Sequence, residues 1–465
     1  MKLNDTIAAI ATPRGSGGIA IIRLSGENAE AIAAKMVRPY GGKSIADLES
    51  HKLTLCRVFA VGRDDFMIDE ALVAVMRAPK SYTGENVVEI NCHGGFLAAD
   101  KILNGLLHSG ARLAEAGEFT RRAFINGKTD LSGAEAVMDL MNSATDAGLH
   151  NAAQTLTGAL AKKINALREK TMNLAAHVSA AADYPDEVDP PSDGELSGQL
   201  SGIRNEINEL LKGFDTGRVL RDGVRCAIVG KPNVGKSSIL NALLRFERAI
   251  VTDIPGTTRD TIEELINVGG IALRIADTAG IRTASDEVEK IGIERSVENI
   301  RTADLCLFVI DSSTQISDED RKIAEAIGDK KTILVMNKTD KGACIGGEAA
   351  AEMLGIIPDK IIETSAPKGE EAVGIDVLEN VISDMFVSGE VKTDEVYITN
   401  ERQRDSLIKA ENAITCAYDG LNMGMPYDLL FIDLEDALTA LGEVTGLTVS
   451  EEIIDNVFER FCVGK

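Results

Sequence analysis

Residues Gly230 to Ser237 read GKPNVGKS, which matches the phosphate-binding loop G-x-x-x-x-G-K-[ST] at each of its fixed positions. The apolar run 225–229 precedes the loop and the helical pattern 238–244 follows it, as a strand and a helix must for this chemistry. The glycines let backbone N–H groups close round a phosphate chain, and the helix N-terminus adds a favourable dipole. Lys236 can reach the terminal phosphates, and the Ser237 hydroxyl can ligate magnesium. This spacing predicts a nucleoside triphosphate site.

A second motif indicates which base is bound. The sequence NKTD, residues 337–340, follows the apolar run 331–336. The Asp340 carboxylate can accept hydrogen bonds from the N1–H and the 2-amino group of guanine, whereas adenine would leave that carboxylate unpaired. Ser365 and Ala366 follow another strand-like run and complete the predicted base pocket. The site is therefore predicted to bind GTP.

Two further motifs lie between the phosphate loop and the base motif. Asp277 begins the sequence DTAG, where its carboxylate can hold the magnesium shell and the N–H of Gly280 can meet the γ-phosphate. The sequence GTTRD, residues 256–260, comes before it, and Thr258 is the predicted magnesium ligand beside Ser237. The phosphate loop, DTAG, NKTD and Ser-Ala motifs come in this order, each after a strand-like run, and together predict a GTPase domain.

The residue that orients the attacking water is not set by these motifs. Ile281 follows the DTAG motif, where the Ras type of GTPase has a glutamine. An isoleucine cannot polarise water, so either hydrolysis is slow or another group acts. The segment 281–292 supplies the carboxylates of Asp286, Glu287 and Glu289, of which we favour Glu289. The alternative is that these acids form only the solvated start of a helix.

Four segments of the 465-residue chain must position these groups. Residues 1–118 mix strand and helix patterns, 119–217 have helical periodicity, 218–384 form the nucleotide domain, and 385–465 return to helix. Neither helical segment is long enough for a generous core alone, so we expect the two to pack together. The predicted fold class is multidomain α/β and α+β: an N-terminal α+β domain and a discontinuous helical domain into which a Ras-like α/β P-loop GTPase domain is inserted.

Particular elements can also be predicted. The strand patterns lie over 18–23 and 70–76, the helical patterns over 131–141, 401–418 and 429–441, and a turn or linker over 183–194.

Composition limits the classes of function. The formal charge of −24 is concentrated in the two helical segments, which together carry −15, against −1 for residues 1–118 and −8 for 218–384. Such a surface repels a polyanion, which argues against a simple RNA-binding protein. Seven cysteines show no C-x-x-C pairing or metal spacing, no apolar run has the length of a membrane span, and we expect no signal peptide. We expect a cytoplasmic protein with free thiols and no membrane contact.

The set GKPNVGKSS, GTTRD, DTAG and NKTD, with FCVGK at 461–465, resembles the MnmE (TrmE) family of GTPases that modify the wobble uridine of certain tRNAs. Four further segments resemble the same family: 5–18, 81–85, 93–95 and 117–128. The GTPase motifs occur across a superfamily, whereas these other segments are specific to this one. The resemblance implies a GTP-hydrolysing component of a complex that adds an aminomethyl or carboxymethylaminomethyl group at C5 of that uridine.

The resemblance also implies cofactors and partners. The N-terminal domain would be similar to tetrahydrofolate-binding domains, mediate homodimer formation and bind 5-formyl- or 5,10-methylene-tetrahydrofolate, the source of the one-carbon unit. The implied folate-binding residues are Arg23, Glu89, Lys128 and Lys465. A carboxylate such as Glu89 suits the amino-pyrimidine donors of a pterin. The partner protein would be the flavoprotein MnmG, which carries FAD, in a heterotetramer-type complex that acts on tRNA.

Hydrolysis in this family would depend on potassium and on pairing of two GTPase domains. A cation beside the phosphates would take the place of an arginine finger. The implied potassium ligands are Asn233, Thr252, Ile254 and Thr257, and Glu289 matches the family's catalytic carboxylate. The predicted GTP contacts as a whole are Gly230, Asn233, Val234, Gly235, Lys236, Ser237, Ser238, Thr257, Asp277, Gly280, Asn337, Lys338, Asp340, Ser365 and Ala366.

Two questions stay open at the level of sequence. Cys462 is predicted as a catalytic residue, but it could equally be a packing residue at a helix end, since its local charge does not obviously lower a thiol pKa. The alternative function is a ribosome-assembly GTPase of the Era or Der type. Such a protein is expected to carry a basic RNA-binding module and has no need of the N-terminal α+β segment.

Overall fold

The computed structural model describes residues 5–13, 15, 17–184, 186–187, 191–246, 264–275, 298–366, 372–386 and 395–465. The chain forms two compact units. The first unit consists of Met1–Met138, Thr155–Ile207 and Asp405–Lys465. The second unit consists of Asp139–Gln154 and Asn208–Arg404. The first unit therefore joins segments that are far apart in sequence. The predicted boundaries at residues 118, 217 and 384 stay a prediction.

A seven-stranded sheet forms the N-terminal part of the first unit. Its strands are β1 (Ile7–Ile10), β2 (Ile19–Ser25), β3 (Val37–Pro39), β4 (Thr54–Ala60), β5 (Arg63–Met76), β6 (Val87–His93) and β7 (Arg112–Leu113). They lie in the order β3-β4-β5-β6-β2-β1-β7, and all neighbours are antiparallel except β1 and β7. The predicted strands over 18–23 and 70–76 are β2 and part of β5.

Side chains alternate between the two faces of this sheet, as the two-residue period of a strand requires. One face packs on helices α1 (Ala29–Ala33) and α2 (Phe96–His108), and Ile22, Val73 and Ile90 are fully buried there. Neighbouring positions on β2 and β6 point to the opposite face. Arg23 and Glu89 are directly paired there across these two strands. Strand register thus brings together two residues that are distant in sequence.

Helices make up most of the remaining first-unit segments and the segment that leads into the second unit. They are α3 (Glu118–Ile125), α4 (Leu131–Asn142), α5 (Asp146–Leu156), α6 (Ala159–Asp183), α7 (Asp193–Lys212) and α8 (Phe214–Asp222). Helices α13 (Glu401–Asn422), α14 (Tyr427–Thr445) and α15 (Glu451–Phe458) follow the second sheet. The predicted helices over 131–141, 401–418 and 429–441 lie within α4, α13 and α14.

Helices α6 and α14 pack against each other inside the first unit. The buried residues of α14 include a series spaced alternately by four and three residues: Leu430, Leu434, Ala437, Leu441 and Val444. This spacing makes one apolar stripe on a helix. Two helical segments, one before and one after the second sheet in the sequence, therefore share one core.

A six-stranded sheet forms the centre of the second unit. Its strands are β8 (Val224–Val229), β9 (Glu264–Val268), β10 (Ile271–Ile275), β11 (Leu305–Asp311), β12 (Thr332–Asn337) and β13 (Lys360–Glu363). The order is β13-β12-β11-β8-β10-β9, and only β9 and β10 are antiparallel to each other. The flanking helices are α9 (Lys236–Phe246), α10 (Asp318–Ile327), α11 (Gly347–Leu354) and α12 (Ile375–Phe386).

Both faces of this second sheet are covered. All seven residues of β11 are buried, which explains why the central strands read as unbroken apolar runs. In such a sheet, ligands bind at the carboxyl ends of the parallel strands. The structure confirms the predicted fold class, an α+β part with helices and a P-loop type α/β sheet.

Candidate nucleotide site and a second site on the N-terminal sheet

The phosphate loop leaves the carboxyl end of β8 and turns into α9. Gly230 and Gly235 both have positive φ angles, 149° and 106°. A Cβ at Gly230 would collide with the Val309 carbonyl, and a Cβ at Gly235 would collide with the amide nitrogen of Asn337. Both positions therefore require glycine, because backbone conformation and close packing exclude a side chain.

Lys236 is the first residue of α9 and curls back over the loop. Its Nζ donates hydrogen bonds to the carbonyls of Gly230, at 2.6 Å, and Lys231, at 2.9 Å. Burial lowers the pKa of the Lys236 ammonium to about 8. An ammonium held inside a glycine loop at a helix N-terminus suits the phosphate chain of a nucleotide.

Asn337 connects the phosphate loop to the base motif. It ends β12, is buried, and donates from Nδ2 to the Val234 carbonyl at 2.8 Å. Its Oδ1 accepts a hydrogen bond from the Thr364 hydroxyl at 3.2 Å. The side-chain amide thus ties together loops that follow three different strands. Sequence reasoning named Asn337 as a GTP contact but did not reveal this bridging role.

Lys338 makes a second connection between the same loops. It adopts a left-handed conformation with φ 63°, and its Nζ donates to the Asn233 carbonyl at 2.6 Å and to Asp311 Oδ2 at 2.7 Å. Burial alone would raise the pKa of Asp311, but hydrogen bonds from Lys338 and Ser313 hold it below its ordinary value. Sequence reasoning missed Asp311, although an acid at the end of a buried strand pattern was a usable signal.

Asp340 lies at the surface of the site. Its Oδ1 accepts a hydrogen bond from the hydroxyl of Ser365, a buried residue, at 2.7 Å. The base motif and the Ser365-Ala366 motif, predicted to form one pocket, therefore meet at this bond. An exposed carboxylate oriented by a buried hydroxyl suits recognition of the paired donors on guanine.

An ion pair between Lys231 of the phosphate loop and the buried Asp320 stabilises the loop, and sequence reasoning also missed it. Lys231 donates from Nζ to Asp320 Oδ2 at 3.0 Å, and Asp320 is fully buried. Asp320 also closes a capping box with Ser317 at the start of α10. The spacing S-x-x-D before an apolar pattern is the sequence signal for such a box.

Several predicted site residues lie outside the described residues. They are Thr252, Ile254, Thr257, Thr258, Asp277, Gly280, Asp286, Glu287 and Glu289. Ser237 and Ser238 continue the first turn of α9 directly after Lys236. The described half of the predicted site thus contains the phosphate loop and the base motifs.

The predicted folate residues lie in the first unit. Arg23 Nε donates to Glu89 Oε1 at 2.8 Å, and both side chains are about a fifth exposed. The guanidinium carbon of Arg23 is 5.4 Å from the ring centre of Tyr82 and 5.6 Å from that of Phe119. A carboxylate, a guanidinium and aromatic surface stand side by side here, which fits the donors and the flat ring of a pterin.

Of the other two predicted folate residues, Lys128 contacts the loop that carries Tyr82, and Lys465 contacts Phe119. Lys128 Nζ donates to the Pro79 carbonyl at 3.1 Å. The Lys465 carbonyl accepts a hydrogen bond from the Phe119 N–H at 3.1 Å. Four residues from three parts of the chain are thus brought to one region of the first unit.

Cys462 is exposed, and its backbone carbonyl accepts a hydrogen bond from the N–H of Gly117 at 3.4 Å. The next residue, Val463, forms a β-bridge with Ala116. The segment 461–465 is therefore held by backbone contacts just before α3. This places the predicted catalytic thiol a few residues along the chain from the carbonyl that Phe119 contacts.

A buried cluster of charges anchors α3. The fully buried Arg122 donates to Glu85, at 3.2 Å, and to Glu118, at 3.0 Å, and it also pairs with Asp5. Burial would raise the pKa of Glu118, but hydrogen bonds, chiefly from Arg112, hold it below its ordinary value. Buried charges persist when they are paired and hydrogen-bonded in this way.

A mostly parallel sheet with a phosphate loop tied to an NKTD motif by the side chains of Asn337 and Lys338 defines a P-loop GTPase. Models of two particular domains also match the chain, the MnmE helical domain over residues 131–462 and the GTP-binding protein TrmE N-terminus over residues 6–128. The chain belongs to the MnmE family.

Relatives named tRNA modification GTPase MnmE match the chain from end to end. The protein of Clostridioides difficile is 46% identical over 467 residues, and that of Desulforamulus reducens is 44% identical over 467 residues. Both alignments cover 100% of this chain and 100% of the relative. The sequence resemblance to this family is therefore confirmed over the full length.

Solved structures match a smaller part. Era in complex with MgGDPNP and nucleotides 1506–1542 of 16S ribosomal RNA is 30% identical, with 41% of this chain and 66% of that chain covered and a TM-score of 0.27. Within the described parts of the chain, none of the helices has the length and apolar character needed to cross a membrane.

Proposed function

We propose that this chain is the GTP-hydrolysing component of a complex that modifies tRNA. The modification is the addition of an aminomethyl or carboxymethylaminomethyl group at C5 of the wobble uridine, with the one-carbon unit taken from tetrahydrofolate. The observation that carries the proposal is the pair of side-chain bridges from Asn337 and Lys338 to the phosphate loop, in a chain that is full-length similar to tRNA modification GTPases.

End-to-end similarity favours this function over the Era or Der type of ribosome-assembly GTPase. An N-terminal sheet with an Arg23–Glu89 pair and a tail segment beside α3 have no purpose in a protein that needs only a switch domain and an RNA-binding module. The acidic charge of −24 also disfavours direct, extensive RNA contact. Contact with tRNA would therefore depend strongly on a partner.

The nucleotide site would use two cations. Ser237 and Thr258 would ligate magnesium, while Asn233, Thr252, Ile254 and Thr257 would hold potassium. The bound cations would neutralise charge that develops on the phosphates during hydrolysis. Glu289 would orient the attacking water, and pairing of two GTPase domains would bring it into place.

The first unit would supply the remaining chemistry. Arg23, Glu89, Lys128 and Lys465 would bind 5-formyl- or 5,10-methylene-tetrahydrofolate, and Cys462 would act close to it. Residues 1–118 would join two copies of the chain as a homodimer. The flavoprotein MnmG, with its FAD, would complete a heterotetramer-type complex in the cytoplasm.

Nucleoside analysis of tRNA tests the proposal. Cells that lack this protein should lose the C5 modification of wobble uridine, and the intact gene should restore it. A gene that encodes Asp340→Asn is tested beside the parent gene in the deletion strain. If GTP binding is needed, this variant should restore less of the wobble-uridine modification than the parent does. Unchanged wobble uridines in the deletion strain would overturn the proposal.

Folate binding separates the two candidate functions. Calorimetric titration of the full chain with 5-formyl-tetrahydrofolate should give saturable binding, and Glu89→Gln should weaken it because the carboxylate would lose its charge. A ribosome-assembly GTPase would give no such heat. Absence of binding by the parent would remove the folate part of the proposal and leave GTP hydrolysis untouched.

A further inference from the structure

Two of the family segments, 81–85 and 117–128, have no assigned chemistry apart from Lys128. The structure fastens them to each other. The Tyr82 hydroxyl and the Thr120 hydroxyl share a hydrogen bond of 2.8 Å, and Asn126 Nδ2 donates to the Thr83 carbonyl at 2.7 Å. The short loop that carries Tyr82 is thus attached to α3 and to the residue that follows it.

The attachment is buried, so the loop has little freedom. Thr83 is fully buried, and its hydroxyl is 2.7 Å from that of Ser25 on β2. Glu85 accepts hydrogen bonds from Ser25 and from the buried Arg122. Hydrogen bonds at Thr83 and charge-assisted hydrogen bonds at Glu85 hold the loop in one conformation. Tyr82 is therefore a ring on a rigid support.

The ring also stands among the predicted folate residues. Its centre is 5.4 Å from the Arg23 guanidinium, which in turn holds Glu89. The side chain of Lys128 lies along the same loop, since its Nζ bonds to the Pro79 carbonyl and its stem passes close to Gly84. Tyr82 is 39% exposed, so its surface is open to a ligand.

We propose that Tyr82 is a further ligand-binding residue, whose ring stacks on the planar pyrimidine ring in the bicyclic head of the folate that Arg23 and Glu89 hold. This inference rests on the proposed folate binding. Aromatic stacking suits a planar heterocycle, and the adjacent guanidinium and carboxylate supply the hydrogen bonds that fix its edge. Because the loop is already ordered, stacking costs little additional conformational entropy.

The chain supplies a matched control in Tyr40. This residue is also 39% exposed, lies in the same sheet domain, and has the guanidinium of Arg57 at 4.4 Å from its ring centre. Its hydroxyl bonds to Glu70. Tyr40 therefore shares the exposure, the neighbouring arginine and the hydroxyl bond of Tyr82, but it does not adjoin the Arg23–Glu89 pair.

Calorimetric titration of the full-length protein with 5-formyl-tetrahydrofolate is the test. Tyr82→Leu should weaken binding about 5- to 150-fold, the range expected for loss of one stacked aromatic ring. Tyr82→Phe keeps the ring and loses only the bond to Thr120, so its affinity should stay within about threefold of the parent. Tyr40→Leu should bind as the parent does.

A ligand fragment separates stacking from a general change of the loop. 4-Aminobenzoyl-glutamate lacks the bicyclic head, so Tyr82→Leu should not change its affinity. Equal losses for the whole ligand and the fragment, or equal losses in Tyr82→Phe and Tyr82→Leu, would overturn the stacking role. Parent binding with unchanged Tyr82→Leu affinity would overturn it as well. A parent that binds no folate would remove the proposed folate binding, and the role of Tyr82 with it.

Discussion

At the scale of single residues, Asn337 and Asp340 divide the work of one motif. Asn337 is buried, and its side-chain amide forms hydrogen bonds with the phosphate loop and with Thr364. Asp340 is exposed, and one of its oxygens accepts a hydrogen bond from Ser365. The first residue therefore organises the site and the second is placed to recognise the base. Substitutions at the two positions should have different consequences.

Asp340→Asn should change base preference. An amide replaces one acceptor by a donor, so the variant should bind GTP more weakly and accept xanthosine triphosphate, whose base offers an acceptor in place of the 2-amino group. Competition between the two nucleotides for the purified protein measures this directly. A variant that prefers GTP as strongly as the parent would show that the base pocket is wrongly assigned.

Lys236 should make GTP binding depend on pH. Its pKa of about 8 in the free protein must rise when phosphates surround the ammonium, so above pH 8 binding takes up a proton and affinity falls as pH increases. GTP itself exchanges few protons there, because the second pKa of a phosphate is near 6. Titrations at pH 8.5 in two buffers of different ionisation enthalpy measure the uptake, and buffer-independent heats would contradict it.

Asn233 should decide the choice of monovalent cation. The residue has φ 62°, a conformation that asparagine and glycine tolerate, so Asn233→Gly removes the side-chain oxygen and keeps the backbone path. We expect GTP hydrolysis by the parent to be much faster in potassium than in sodium, and the variant to lose most of that difference. Rates are compared at matched ionic strength. Equal parent rates in the two salts would exclude the cation hypothesis.

At the scale of elements, helix α3 is held by charges rather than by apolar contacts alone. Glu118 and Arg122 lie one turn apart on it, and both are buried. A folded-state pKa below the ordinary value means that Glu118 contributes stability above its unfolded pKa and loses it as pH falls through the folded value. This part of the protein should therefore be sensitive to acid.

Glu118→Gln should lower the free energy of unfolding at pH 7 by about 3 kcal/mol, because it leaves the buried Arg122 short of a counter-charge. The deficit should shrink as pH falls through the lowered pKa of Glu118, because the parent carboxylate also becomes protonated there. Urea unfolding curves at a series of pH values measure both effects. Glu115→Gln, an exposed acid in the same segment, is the control and should change stability by less than about 0.5 kcal/mol.

Elements were more predictable from sequence than the contacts between them. Helical periodicity located α4, α13 and α14, and the phosphate-loop pattern located the turn between β8 and α9, because these signals are local. The register that pairs Arg23 with Glu89 is not local, since it is decided by how two strands distant in sequence align across a core. Asp311 and Asp320 carried local signals, but their pairing with Lys338 and Lys231 depends on contacts between segments that are distant in sequence.

At the scale of the whole molecule, activation should come from pairing of two copies rather than from a separate activating protein. Glu289→Ala should lower the rate of GTP hydrolysis by roughly 10²–10⁴-fold, the usual effect of losing a positioned general base, with GTP affinity almost unchanged. Single-turnover hydrolysis and equilibrium binding measure the two quantities separately. Normal hydrolysis by this variant would assign the role to another carboxylate, with Asp286 and Glu287 next.

The contacts of the segment 461–465 with the residues around α3 have a consequence for protein synthesis. Phe119 leaves the ribosome early, but the carbonyl of Lys465 that it contacts is made roughly 350 residues later, about 17–70 s at common translation rates of 5–20 residues per second. During that interval the bridge between Ala116 and Val463 cannot form. A nascent chain can therefore assemble the second sheet before the segment 461–465 has been made, so the first unit is completed later than that sheet.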